Sequence, residues 1–291
     1  MKQVEKTGLV LEGGGMRGIY TAGVLDVFLE KGIVFDGVIG VSAGVIHGCS
    51  YVSGQRGRSI RYYKRYCTDW RFMSLRNFLL TGDMVGEKFC YHDLPDLLDP
   101  YDYEAFKRSP TEFYATCSNI ETGKAEYLKL NDMKTQVDIM RASASLPCIS
   151  KIVRIGGKKY LDGGCTDSIP VRAFRKMGFR HNVVVLTREA GYVKQAEMNR
   201  LVRLRYFRYP RLVRALERRH EEYNKTIRYL RRLEKAGEIF ILSPSRVLTI
   251  GRMEHNPKKL QKTYDLGRQD AERQLKALLA WREKVAAVKS E

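Results

Sequence analysis

The sequence predicts an α/β fold in which a mostly parallel sheet is covered by helices on both faces. Three observations carry that prediction. Short apolar runs alternate with segments of helical period, glycine-rich turns stand where strands hand over to helices, and 291 residues suffice for one large domain with a deeply buried site.

Gly8 to Leu11 reads as a short buried strand that runs into Glu12-Gly13-Gly14-Gly15. Ile19 to Glu30 then carries Ile19, Ala22, Val24, Leu25, Val27 and Phe28 at helical spacing, and Gly32 supplies the stop. Gly37 to Val41 is a second buried strand, ending at Ser42 and followed by a helix start over Ala43 to Cys49. From residue 55 to 110 the periodicity weakens into mixed aromatic and basic residues, among them Trp70, Phe72, Leu75, Leu79 and Leu80, a composition that suits a lid or cap. Glu112 to Cys117 resumes as a strand and Val137 to Ala144 as a helix. Lys151 to Ile155 and Lys158 to Leu161 form a hairpin closed by Gly156-Gly157, whose second arm ends at Asp162-Gly163-Gly164. Ile169-Pro170 opens a helix that Gly178 closes, and Val183 to Leu186 is a further apolar strand. No repeat or low-complexity linker interrupts the chain. The expected organisation is an α/β domain over residues 1–190, with 55–110 as its candidate lid, and a basic, mainly helical extension over 191–291 packed on the same domain.

Composition narrows the setting. The charged opening from Met1 to Lys6 leads into an apolar run too brief for a secretory signal, and no window approaches the ~20 apolar residues of a membrane span, so a cytoplasmic protein is expected, with any lipid contact peripheral at the inner membrane face. The six cysteines show no Cys-x-x-Cys pair and no histidine at ligand spacing, which predicts free thiols and no metal site. The net charge of +19 is concentrated between Arg200 and Arg232, where ten arginines and lysines beyond those two ends face only Glu217, Glu221 and Glu222. Such an excess suits an anionic surface, a nucleic acid or an acidic substrate.

Three motifs carry chemistry. Gly13-Gly14-Gly15-Met16-Arg17-Gly18 fits G-x-G-x-x-G between a strand and a helix, the context of a dinucleotide fingerprint. That reading also requires an acidic residue at the end of the second strand, yet Asp36 precedes the strand and Gly40-Val41-Ser42 ends it, which counts against a nicotinamide-dependent oxidoreductase. The loop is either an anion-binding turn of backbone N–H groups at a helix N-terminus or a tight turn needing glycine for its φ angles. Gly40-Val41-Ser42-Ala43-Gly44 matches the G-x-S-x-G elbow that exposes a serine between strand and helix. Tyr160-Leu161-Asp162-Gly163-Gly164 puts a carboxylate at a strand end beside glycines that permit close backbone approach. A triad of Ser42, Asp162 and one of His181, His220 or His255 is conceivable, although an elbow so early in the chain leaves no room for the strands that precede it in α/β-hydrolases.

The order of these motifs, with Arg141 to Pro147 as a further matching stretch, resembles the patatin-like phospholipase family from Leu9 to about Leu186. The resemblance implies a three-layer α/β/α sandwich in which a Ser–Asp dyad replaces the triad. On that basis Ser42 is the expected nucleophile, Asp162 the base, and the backbone N–H groups of Gly13 to Gly18, Gly14 and Gly15 foremost, the oxyanion hole. Arg17 falls on the basic position of the loop, Gly40 and Gly44 flank the elbow, and Gly163 and Gly164 shape the base turn. Acyl transfer needs those three parts, an activated hydroxyl, a proton acceptor and preorganised donors. The implied activity is hydrolysis of phospholipid, lysophospholipid or related lipid esters without cofactor. The basic stretch then reads either as a solvated helix face or as a surface for anionic membranes, with Leu201, Leu204 and Phe207 dipping into the interface. A nucleic-acid binder with Tyr206, Phe207 and Tyr209 as stacking groups is the alternative from another class, though it leaves the serine and aspartate motifs unexplained.

Overall fold

A computed structural model describes residues 6–196, 200–251 and 253–290; the charged opening at residues 1–5 lies outside the described residues. Among these residues eight strands form one sheet, β1 (Lys6–Leu11), β2 (Gly37–Val41), β3 (Glu112–Asn119), β4 (Lys124–Leu130), β5 (Val153–Ile155), β6 (Lys158–Asp162), β7 (Phe179–Val185) and β8 (Ile239–Leu242). The α-helices are α1 (Ile19–Glu30), α2 (Ala43–Val52), α3 (Arg58–Tyr66), α4 (Leu75–Thr81), α5 (Tyr103–Arg108), α6 (Val137–Ala144), α7 (Val171–Lys176), α8 (Arg200–Arg205), α9 (Pro210–Lys235) and α10 (Pro257–Ser290), with a π-helix over Phe89–Leu98.

The sheet order is β5-β6-β3-β2-β1-β7-β8, with β4 paired to β3. β3, β2, β1, β7 and β8 run parallel, β4 and β6 each pair antiparallel to β3, and β5 pairs antiparallel to β6. Side-chain alternation along the parallel strands builds two separate cores. Leu9, Leu11, Val38, Val183, Val185 and Leu242 point to one face, where α1, α2, α3 and α10 cover them. Val10, Ile39, Val184 and Ile241 point to the other, under Phe174 of α7 and Tyr223, Leu230 and Leu233 of α9. The result is a three-layer α/β/α sandwich, as the motif order implied. On the first face α10 lies along α1, and Tyr264 donates its hydroxyl to the buried Asp26 at 2.6 Å.

Residues 55–110 fold as α3, α4, the π-helix and α5, and Tyr62, Tyr63, Tyr66, Phe72, Phe89, Tyr101 and Phe106 among them pack on the first core. The C-terminal third is mainly helical, and Ile239–Leu242 adds an edge strand to the sheet beside β7. No helix among the described residues is long and apolar enough to cross a membrane. All six cysteines are free.

Candidate active site

The strand register brings Ser42 and Asp162 together. β4 occupies one whole edge of β3, pairing from Phe113 to Asn119, so β2 and β6 must share the other edge. β2 runs up that edge until Val41 stands opposite Thr116, and β6 runs down it until Asp162 stands opposite Cys117. Their C-terminal ends therefore abut at consecutive residues of β3, ~3.3 Å apart along the strand. The residue leaving β2 is Ser42. It lines a cavity of about 50 Å³ together with Asp162, Glu12, Gly13, Gly14 and Arg17. Parallel strands β1, β2 and β7 all end at this rim, and the chain leaves β1 for β2 through α1 on one face but leaves β7 for β8 through α9 on the other, the position at which open α/β sheets bind ligands.

The local chain is shaped for that exposure. Ser42 adopts φ 53° and ψ −118°, a backbone state that costs a non-glycine residue ~1–3 kcal/mol and must be held by its surroundings. Ser143 on α6 holds it: the Ser42 N–H donates to Ser143 Oγ at 3.0 Å, and that hydroxyl donates onward to the Thr116 carbonyl at 2.7 Å. At Gly44 a Cβ would stand 2.5 Å from the Leu11 carbonyl oxygen, so the first turn of α2 packs against β1 at a distance only glycine allows; Gly40 faces the same turn. The base turn follows the same rule, because a Cβ on Gly163 would meet the Thr116 oxygen at 2.1 Å. Asp162 is buried and its Oδ1 accepts the Gly164 N–H at 2.7 Å, which orients the carboxylate toward the cavity rim shared with Ser42.

The glycine loop lies over the serine. Gly13 packs against Val41 and Ser42, Gly14 against Thr187 after β7, and Gly15 has φ +58°. Among the described residues no acceptor takes the N–H of Gly14 or Gly15. Met16 is buried beside Ser42 in a second, apolar cavity, Arg17 sits beside Glu12, and Gly18 packs on Ala43 and His47 where α1 begins.

The second cavity, of about 120 Å³, meets the first at Gly15, Ser42 and Leu146. Ala43, Ile46, Tyr63, Phe72, Met84 and Met140 line it, so the segment read as a candidate lid supplies much of an apolar wall next to the serine. A polar pocket and an apolar one thus share a hydroxyl at their junction.

The histidines are distributed elsewhere. His181 pairs with Thr7 at the start of β1, four residues and ~13 Å from the strand ends. His255 contacts the Cys67 carbonyl, and His47 is buried against Ser59, where burial holds its imidazole down to about 3. His220 shares a pocket with Asp162 and Gly164 but not with Ser42, and its Nδ1 faces the Glu217 carbonyl at 3.0 Å. Asp36, the carboxylate a dinucleotide reading would need, accepts the Thr7 N–H and hydroxyl at the opposite end of the sheet.

Four contributors were not singled out from sequence. Ser143 lies inside the matching Arg141–Pro147 stretch, which by itself gives the residue no role. Glu12 is buried at the mouth of β1, where Thr187 N–H and Tyr223 hydroxyl donate to it at 2.6 and 2.9 Å while burial pushes its carboxyl up. Tyr223 and Arg219 come from α9, inside the run read as a solvated or membrane-facing stretch. In that run Leu212, Tyr223, Leu230 and Leu233 are buried, so α9 is a packed helix rather than a free basic face. Tyr206 is also buried, with its hydroxyl accepting the Cys148 N–H, while Tyr209 is half-buried and Phe207 exposed.

Fold and site together define an α/β protein organised around a serine elbow and a facing carboxylate. The chain belongs to the patatin-like phospholipase family, whose model matches residues 9–175. Residues 209–283 match a domain of unknown function (DUF6363). Among curated proteins it is 31% identical over 190 residues to the uncharacterized protein YjjU of Escherichia coli K12, covering 64% of this chain and 53% of that one. It is 28% identical over 186 residues to lysophospholipase NTE1 of Debaryomyces hansenii, covering 62% of this chain and 12% of that one. The chain thus spans about half of the first relative and a small part of the second. Among solved structures, VipD from Legionella pneumophila matches with a TM-score of 0.46 at 12% identity, over 94% of this chain and 67% of that one.

Proposed function

We propose that this chain is a serine acyl hydrolase of lipid esters, working through a Ser42–Asp162 dyad. The observation that carries the reading is the abutment of β2 and β6 on one edge of β3, which puts a strained serine and a buried carboxylate into one cavity beneath the glycine loop. Asp162 takes the Ser42 hydroxyl proton as Oγ attacks the ester carbonyl carbon. The oxygen that becomes negative is received by the N–H groups of Gly14 and Gly15, donors held in place before reaction and worth most in a dry site. Collapse of the tetrahedral intermediate breaks the C–O bond, and the departing alcohol takes the proton from Asp162. Water then repeats the sequence on the acyl-serine, giving up a proton to Asp162 and releasing the acid with Ser42 restored.

The apolar cavity beside Ser42 supports an acyl chain as the group being transferred. The relatives include proteins described as lysophospholipases, which favours a lysophospholipid or similar lipid ester. Access from a membrane surface is supported by two helices that anchor on residues 148–151. α4 precedes Met84 and Asp83, which bond Ile149 and Lys151, and Tyr206 following α8 bonds Cys148. Leu79 of α4 is 75% exposed, and Leu204 of α8 and Phe207 just after it are 73% and 67% exposed beside Arg200, Arg203, Arg205 and Arg208. Such a mixture suits the headgroup boundary of an anionic bilayer.

The test is turnover of a panel of lysophospholipids, diacyl phospholipids and monoacylglycerols by the purified protein and its Ser42→Ala variant. Ester cleavage by the wild type and none by the variant is expected, with both folded. Equal turnover by the two would overturn the assignment of Ser42.

A further inference from the structure

The cavity around Ser42 and Asp162 carries more positive charge than the proposed chemistry uses. Arg17, Arg188, Lys194 and Arg219 line it, against the carboxylates of Glu12 and Asp162. Arg219 reaches in from α9 until its Nη2 lies over Gly164, where an added Cβ would stand 3.1 Å away, and its Nε is buried without an acceptor among the described residues. Some cations elsewhere on the same helix do find carboxylates. Arg218, Lys225 and Arg231 each pair with a glutamate three residues away, at 3.5, 2.8 and 2.8 Å. Among the described residues neither Arg219 nor Arg188 forms an ion pair with a carboxylate.

The cations are also held in place by aromatic rings. The Arg188 guanidinium stacks over Tyr192 with its carbon 4.3 Å from the ring centre, and the Lys194 ammonium lies 5.8 Å from the centre of Tyr223. Tyr223 is fixed in turn by donating to Glu12. Half-buried guanidinium groups without carboxylate partners are costly in the free protein, and the cost is recovered when an anion enters. At about 50 Å³ the cavity has room for a group of several heavy atoms.

Geometry assigns that anion a place in the substrate. The polar and apolar cavities meet at Ser42, so an ester with its acyl chain on the apolar side directs its alcohol portion to the arginine side. We propose that Arg188 and Arg219, with Lys194 beside them, bind the phosphate of the lipid headgroup and select anionic headgroups over neutral and zwitterionic ones. Supplying one wall of this subsite is then the function of α9 within the C-terminal segment, for which the matching family description gives none. The proposal rests on the hydrolase reading above.

Kinetics on three substrates with one acyl chain, a lysophosphatidate, a lysophosphatidylcholine and a monoacylglycerol, separates the two. Loss of one charge-assisted contact should lower kcat/KM of Arg219→Gln on lysophosphatidate by about 10- to 100-fold. Monoacylglycerol turnover should fall less, because its headgroup has no charge to meet, so the ratio of kcat/KM on lysophosphatidate to that on monoacylglycerol drops at least about tenfold. Arg219→Lys should recover part of the loss, and Arg188→Gln should repeat the pattern should Arg219 variants fold poorly. Equal losses on all three substrates would make Arg219 merely structural and overturn the subsite. Wild-type turnover of lysophosphatidate no faster than of monoacylglycerol would also overturn it while leaving the hydrolase intact. Titration of the Ser42→Ala protein with lysophosphatidate, monoacylglycerol and inorganic phosphate reads the subsite without catalysis. Tighter binding of lysophosphatidate that weakens on Arg219→Gln supports the subsite even if no ester is cleaved, an outcome that would sink only the hydrolase reading. Inorganic phosphate binding as tightly as the lysolipid would show a site for the free ion and refute the lipid headgroup.

Discussion

Replacing Ser143 by alanine should loosen the elbow from behind. The side chain is fully buried, and its one hydroxyl accepts from the Ser42 N–H and donates to the Thr116 carbonyl. Alanine removes both contacts and leaves too little space for a water to replace them. Each buried polar group deprived of its partner costs ~1–3 kcal/mol. Thr116 keeps its ladder pairing with β2 and β4, so its share is small, and a total loss of roughly 2–3 kcal/mol is expected. For a chain of this size that corresponds to a fall in thermal midpoint of roughly 3–5 °C. Activity should fall further than stability alone explains, because Ser42 holds a positive φ against its preference and can relax once the clamp is gone. A displacement of ~1 Å at a reacting atom costs on the order of 10² in turnover. Scanning calorimetry and steady-state kinetics on a chromogenic ester, run on the same preparation below the transition, measure both quantities. An unchanged midpoint with unchanged kcat would refute the clamp.

Three further outcomes follow from the geometry. Asp162→Asn keeps an oxygen to accept the Gly164 N–H but removes the base, so kcat on a neutral ester should fall on the order of 10²–10⁴ with the fold retained, while His220→Gln stays within about threefold; a His220 variant as inactive as the Asp162 one would put a histidine into the mechanism. Asp167 is half-buried beside Tyr127, and loss of hydration there pushes its carboxyl from 3.8 up to about 6, so folding favours its protonated form. That contribution is present below about pH 4 and is lost as pH rises through 6, about 3 kcal/mol in all, so the midpoint of wild type relative to Asp167→Asn should fall between pH 4 and pH 7; a pH-independent difference would contradict it. Replacing Leu201, Leu204 and Phe207 together by serine should reduce co-sedimentation with anionic vesicles by at least about tenfold without changing turnover of a soluble ester, and equal binding would remove α8 from the membrane contact.

Much of the fold could be read where local signals agree. The helix Ile19–Glu30 and the strand Gly37–Val41 match the prediction residue for residue, because apolar period and flanking glycines point the same way there. β4 escaped notice because Lys124, Glu126 and Lys129 give it the composition of a surface segment, and only its pairing with β3 makes it a strand. β8 is four residues long and follows a strongly basic helix, too short for its own periodicity to register. At the site, Ser42, Asp162 and the glycine loop were legible because close backbone approach leaves a glycine signature. The roles of Ser143, Glu12 and Arg219 were not, since each rests on a contact across 101, 175 or 211, and 55 residues respectively, which no local pattern records.

Labelling with a fluorophosphonate probe tests the dyad most directly, since it reports nucleophile activation without any choice of lipid. One equivalent should attach to the peptide containing Ser42, with no labelling of Ser42→Ala and with the rate lowered on the order of 10²–10⁴ in Asp162→Asn. Attachment at a different serine, or an Asp162→Asn variant that labels at the wild-type rate, would contradict a Ser42–Asp162 dyad.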